Sequence, residues 1–291
     1  MKTPWINVVA LMLLSGIFLS MQPAKPAYKL YRSDGTETPF DEMVTALLEA
    51  DIIFFGELHN NAIAHWLQIE LAKSLYTHDS STLIMGADMF ESDNQLLMDE
   101  YLKGVITERS FENEARLWNN YKTDYKPFVT FAKDNGLRFI ATNIPRRYAS
   151  LVHSKGFEAL DSLSDEAKKF IAPLPVSYDP ELACYKNMLD MMRPSNHANL
   201  NLPKAQAIKD ATMAHFIAEN LLPGSRLLHF NGSYHSDNHE GIVWYLQQQN
   251  PKLKIVTITT VEEADINTPD SAALSKADFI LMVNELVTKT Y

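Results

Sequence analysis

A single cysteine, Cys184, rules out an intrachain disulfide and leaves no thiolate set for a zinc site. Its neighbourhood, Pro180-Glu181-Leu182-Ala183 before it and Tyr185-Lys186 after it, offers no recognisable group to activate it as a nucleophile. No cysteine lies near residues 18 to 28, which removes the attachment point for a bacterial lipid anchor. Positive charge is in deficit as well. With 26 basic against 36 acidic residues the formal charge is -10, leaving no background field to collect phosphates, so no nucleic-acid partner is expected. The 10 glycines and 14 prolines are not gathered into a linker, and there is no internal repeat or low-complexity tract. One principal domain is the simplest organisation.

Long apolar runs are confined to the start. Lys2 precedes an uncharged, mostly aliphatic stretch from Ile6 to Ser20, followed by Gln22-Pro23-Ala24-Lys25-Pro26-Ala27. A short basic region, an apolar stretch of about 15 residues and a helix-breaking exit with small residues is the order of a secretory signal peptide. A membrane anchor would need about 20 apolar residues. Residues 1–27 are therefore expected to be a signal peptide with its exit segment and 28–291 the folded domain, exported to the periplasm or cell envelope without a lipid anchor. Residues 1 to about 24 are expected to be absent from the mature protein.

Six short apolar runs read as strands: Ile52 to Phe55, Leu83 to Met85, Arg138 to Ala141, Leu227 to Phe230, Ile255 to Thr259 and Phe279 to Val283. Helical patterns lie between most of them, so the expected class is α/β, with a mostly parallel sheet flanked by helices. The two long connections, near 91–137 and 144–225, carry helical periodicity and should form helical insertions beside the carboxyl edge of the sheet. In such sheets ligands bind outside the carboxyl ends of the strands. The turns Gly56-Glu57-Leu58-His59, Gly86-Ala87-Asp88-Met89, Thr142-Asn143-Ile144-Pro145-Arg146-Arg147 and Asn231-Gly232-Ser233-Tyr234-His235 are therefore expected to converge on one cleft.

Glu57 and His59 alternate just past a strand, so an extended backbone points them the same way, able to bind a metal, move a proton or fix each other's tautomer. The plainer alternative is that Glu57 and Asn60 cap the next helix. Pro145 suits a first helical position, placing Arg146 and Arg147 at the positive end of the helix dipole, where an anion is expected. That anion is either internal, Asp88 or Glu57, or a ligand carboxylate or phosphate, and one of the two arginines is expected to be solvated. Asp210 shares an apolar helical stripe with Met213, Ala214 and Ile217, so it needs a partner, for which Arg146, His59 and His235 are candidates. A structural ion pair and a role in the pocket stay open. His229, inside a strand, reads as a hydrogen-bonded core imidazole, whereas His235 follows a tight turn and is the better placed of the histidine cluster.

These residues in this order resemble the bacterial ChaN family of haem-binding proteins, in a superfamily with the Tiki metalloproteases and, more distantly, erythromycin esterases. The resemblance runs from about Asp51 to Ile258. It rests on Gly56-Glu57-Leu58-His59 with His65 and Gln68, on Asp88-Met89-Phe90 with Gln95, on Tyr125 and Pro127, on Asn143-Ile144-Pro145-Arg146, on Ala205 to Ala214, and on Asn231 to Asp237. The family's second motif normally carries Glu where this chain has Asp88, and the lipobox cysteine is missing.

The resemblance implies an exported haem-binding protein for haem or iron acquisition or handling, able to bind haem as a homodimer and to meet an outer-membrane uptake component. Tyr148, Tyr185 and His197 are its candidates for iron ligation or propionate contact, since phenolate and imidazole are the available axial ligands. The superfamily implies an alternative, a hydrolase dependent on a divalent metal held by Glu57, His59 and His235, with Asp88 in the same centre. A third reading is a scaffold that keeps the cleft as a stabilising polar network.

Overall fold

The computed structural model describes residues 25–192 and 199–291; the expected signal peptide and His197 lie outside them. All six expected strands form: β2 (Ile52–Glu57), β3 (Leu83–Glu91), β4 (Arg138–Asn143), β5 (Arg226–Gly232), β6 (Ile255–Glu263) and β7 (Phe279–Asn284). A further strand, β1 (Tyr28–Arg32), pairs antiparallel with β7 and is not among the six expected. Its half-polar sequence, Tyr-Lys-Leu-Tyr-Arg, suits an edge strand and carries little apolar signal. The sheet order is β1-β7-β6-β2-β5-β3-β4, and every other neighbouring pair is parallel.

Both faces of the sheet are covered, which is why β2 reads as a continuous apolar run with all six residues buried. Its side chains alternate between two cores. Ile53 and Phe55 join the core under α1 (Phe40–Leu47), α2 (Ala62–His78), α3 (Gln95–Leu102), α4 (Glu108–Glu114) and α5 (Lys126–Asp134). Ile52 and Phe54 join the core under α6 (Arg146–Lys155), α8 (Leu202–Asn220) and α9 (Ile242–Gln249), while α7 (Ala183–Met192) packs on α8. Each large side chain so buried contributes on the order of 1.5–3 kcal/mol. Among the described residues, no helix is long and apolar enough to cross a membrane.

Register positions the site. Glu57 pairs with Gly232 at the ends of β2 and β5, and Ala87 pairs with Phe230, so Glu57, Asp88 and the turn after Gly232 end at one edge. His229 is a core imidazole, as expected: it lies 2.8 Å from Thr142 Oγ1 and 3.2 Å from Asn231 Oδ1, and burial pushes its pKa down to about 3.

Candidate functional site

Glu57, the last residue of β2, has no exposed side-chain surface. A buried carboxylate needs donors, and four surround it. His59 Nδ1 and the Tyr125 hydroxyl each lie 2.9 Å from Oε1, Gln68 Nε2 donates to Oε2 at 2.8 Å, and His65 Nδ1 lies 3.4 Å from Oε2. Burial alone would push the Glu57 carboxyl up, but the hydrogen bonds and charges of His59 and His65 outweigh it and hold the pKa at about 2. The same carboxylate raises both imidazoles against their own burial. Glu57 thus fixes His59 through Nδ1 and leaves Nε2 over Gly232 with no hydrogen bond among the described residues.

Around this pair lies a second ring of polar groups. Asn120 donates to the His59 carbonyl at 3.3 Å and to Asp124 Oδ2 at 2.8 Å, and His65 Nε2 reaches the same carbonyl at 3.1 Å. A π-type turn over Tyr121–Tyr125 brings Asp124 and Tyr125 inward, a local irregularity often met at functional sites. The capping alternative for Asn60 and Glu57 gives way to Asn61, which caps α2 by accepting from Ala64 N–H at 2.9 Å.

The second imidazole, His235, lies in the turn after β5. Its Nδ1 is 2.5 Å from Asp210 Oδ1, and Asp210 Oδ2 accepts from the Tyr185 hydroxyl at 2.8 Å. Gln206 Nε2 lies 3.1 Å from His235 Nε2, and Asp88 Oδ2 is 3.7 Å from that nitrogen. Asp88 accepts from Gly232 N–H at 3.0 Å through Oδ2, while its buried Oδ1 has no hydrogen-bond partner among the described residues. Burial raises the Asp88 pKa against the pull of His235 and His59. Glu57, His59 and His235 line one open cavity of about 410 Å³ with Leu58, Asn60, Gly232, Ser233, Tyr234 and Tyr291.

Arg146 is not brought to this cleft. Its side chain is exposed and unpaired among the described residues, whereas Arg147 pairs with Asp93 at 2.7 Å. β4 is the edge strand, three places from β2 and on the order of 14 Å from it; it neighbours the strand that carries Asp88, but Arg146 opens α6 with its side chain exposed. Arg146 is thus the solvated member of the pair, and the anion beside Arg147 is Asp93 rather than Asp88 or Glu57. Tyr148 is half-buried with its hydroxyl 3.2 Å from Arg147 Nη2, and Tyr185 is fully buried against Asp210.

The metal expectation does not fit the geometry. Among the described residues no three His, Cys, Asp or Glu side chains are placed to hold an ion, and both Glu57 oxygens are already occupied by protein donors. Gln68, Asn120, Asp124, Tyr125 and Tyr291 were not among the site residues read from the sequence. Gln68 and Tyr125 stood in the resemblance motifs, but nothing in their spacing assigned them to Glu57.

The family model described as "Haem-binding uptake, Tiki superfamily, ChaN" matches residues 43–246. The chain belongs to the ChaN family. Its structure resembles that of ChaN of Campylobacter jejuni, solved with cofacially bound haem, with a TM-score of 0.68 at 20% identity over 89% of this chain and 98% of that one. An erythromycin esterase in its open conformation matches with a TM-score of 0.52 at 11% identity, covering 90% of this chain and 100% of that one. At these identities the likeness is one of fold. Among curated proteins, the chloroplastic RETICULATA-RELATED 5 of Arabidopsis thaliana is 20% identical over 61% of this chain, which spans only 26% of that protein. Asp88, in the second of the resemblance motifs, keeps one oxygen on Gly232 N–H and leaves the other without a hydrogen-bond partner among the described residues.

Proposed function

We propose that the chain is an exported haem-binding protein that handles haem in iron acquisition. The observation that carries this reading is His59. Its Nδ1 is held by a buried carboxylate, its side chain is 35% exposed at an open cavity, and the Trp118 ring packs edge-on against it at 4.8 Å. An imidazole whose far nitrogen is fixed by a carboxylate is oriented for iron ligation. His59 would hold the iron, with Trp118 offering aromatic surface beside it and Tyr291 from the wall of the same cavity; the bound group would supply an iron centre at this position. The family description and the haem of the Campylobacter relative support the same ligand, and a dimer binding haem between copies is part of the proposal. Export is supported by the basic, apolar and small-residue order of residues 2–27, and delivery from an outer-membrane component by the family's link to uptake.

Titration of the purified protein with haemin tests the reading. A Soret shift that saturates at a fixed stoichiometry is expected. A spectrum that only adds free haemin contradicts it.

The Asp210–His235 pair favours a second reading, a hydrolase without a metal. His235, oriented by Asp210, would take a proton from water at Nε2, with the Asp88 carboxyl 3.7 Å from that nitrogen. Ester hydrolysis that resists chelators and is lost in His235→Ala would select this reading.

A further inference from the structure

After β7 the chain turns back over the carboxyl edge of the sheet. Glu285 N–H donates to the Glu263 carbonyl at 3.0 Å, and Leu286 N–H to Asn284 Oδ1 at 3.0 Å. Lys289 then forms a backbone bridge with Asn61, and its ammonium meets Glu262. Thr290 is held twice, its N–H donating to the Asn60 carbonyl at 3.0 Å and its hydroxyl to Asp124 Oδ2 at 2.8 Å. This path delivers Tyr291 to the wall of the cavity that contains Glu57, His59 and His235.

The docking of this segment is almost wholly polar. Val287 packs partly on the core, but Leu286 is 85% exposed and Tyr291 67% exposed. A stretch with so little apolar burial sits at the low end of local stability and opens more readily than the sheet. Its anchors are also those of His59: Asn60 and Asn61 follow it directly, and Asp124 is bonded to Asn120, which donates to the His59 carbonyl. Opening the segment would therefore uncover the cavity and loosen the setting of its exposed imidazole together.

We propose that residues 285–291 form a strap whose docking on Asn60, Asp124 and Glu262 limits access to His59, and that Tyr291 is a ligand-contacting residue of the cleft. A flat aromatic ring in the wall of the cavity that holds the imidazole suits a planar, largely apolar ligand. The ligand contact rests on the haem reading; the strap does not.

The experiment uses the full mature chain as wild type, Tyr291→Ala and Thr290→Val. The valine variant is nearly isosteric and removes only the hydroxyl that reaches Asp124. Carbethoxylation of His59 by diethyl pyrocarbonate, followed by peptide mass spectrometry at about pH 8, should be about tenfold faster in both variants, with exposed His153 unchanged as the internal reference. Haemin should leave Tyr291→Ala about tenfold faster when captured by excess apomyoglobin. His59 reactivity within about twofold of wild type in both variants overturns the strap. Raised reactivity with unaltered haemin release overturns the Tyr291 contact. If wild type takes up no haemin, that contact falls with the haem reading, and His59 reactivity still decides the strap.

Discussion

Asp210 Oδ1 lies 2.5 Å from His235 Nδ1, joining the middle of α8 to the turn that follows β5. Both groups are buried, and the Tyr185 hydroxyl completes the arrangement from α7. His235 lines the same cavity as His59, which has its own carboxylate in Glu57. Each imidazole is thus held at Nδ1 by a separate acid from a separate element.

Removing Asp210 should therefore strand two buried donors at once. Asp210→Ala is expected to cost about 2–4 kcal/mol in urea unfolding, and Asp210→Ala/His235→Ala less than the sum of the single losses. Additive losses would separate the two residues energetically.

A side chain at Gly232 is expected to push His59 aside. A Cβ there would come within 2.9 Å of His59 Nε2, so Gly232→Ala must displace the imidazole that Glu57 holds. The variant should remain folded and lose about 10–100-fold in haemin affinity, the usual consequence of disturbing a ligand's orientation. Wild-type affinity would show that His59 does not face the ligand.

Asp237 predicts a pH dependence of stability. Burial raises its carboxyl to about 6, opposed by the hydrogen bond from Thr259 and the charge of Lys276. The folded state therefore holds more protons than the unfolded state between the two pKa values, and the stability due to this group declines as pH rises through that window. Asp237→Asn should gain about 1–2 kcal/mol above about pH 7 and little near pH 4, read as Tm against pH. A gain independent of pH would contradict the assignment.

His59 predicts the opposite sense for binding. Burial lowers its pKa, but the Glu57 hydrogen bond and the charges of Asp88 and Glu57 raise it above the ordinary histidine value. Iron ligation needs the neutral ring, so haemin affinity should fall as pH drops through that raised value. A flat pH profile there would argue for another axial ligand.

The strands and their convergence were legible because apolar runs and the polar turns after them are local signals. Asp210 was legible for the same reason, as a lone charge on an apolar helical stripe whose partner, His235, was among the candidates named. Arg146 misled because its turn follows a true strand, and only the strand order shows that strand to be the sheet's far edge. Tyr125, Gln68 and Asp124 were illegible as site residues because their roles depend on a π-type turn and on long-range docking against Glu57. The burial of Tyr185 against Asp210 comes from the packing of α7 on α8, which spacing does not encode.

The most direct test of the account is a haemin titration of wild type, His59→Ala and Glu57→Gln side by side, read at the Soret band with far-ultraviolet circular dichroism to confirm folding. The account predicts saturable binding by wild type, a loss of about 100-fold or more in His59→Ala, and a loss of about 10–100-fold in Glu57→Gln. Saturable binding with an unchanged spectrum and affinity in folded His59→Ala would contradict it.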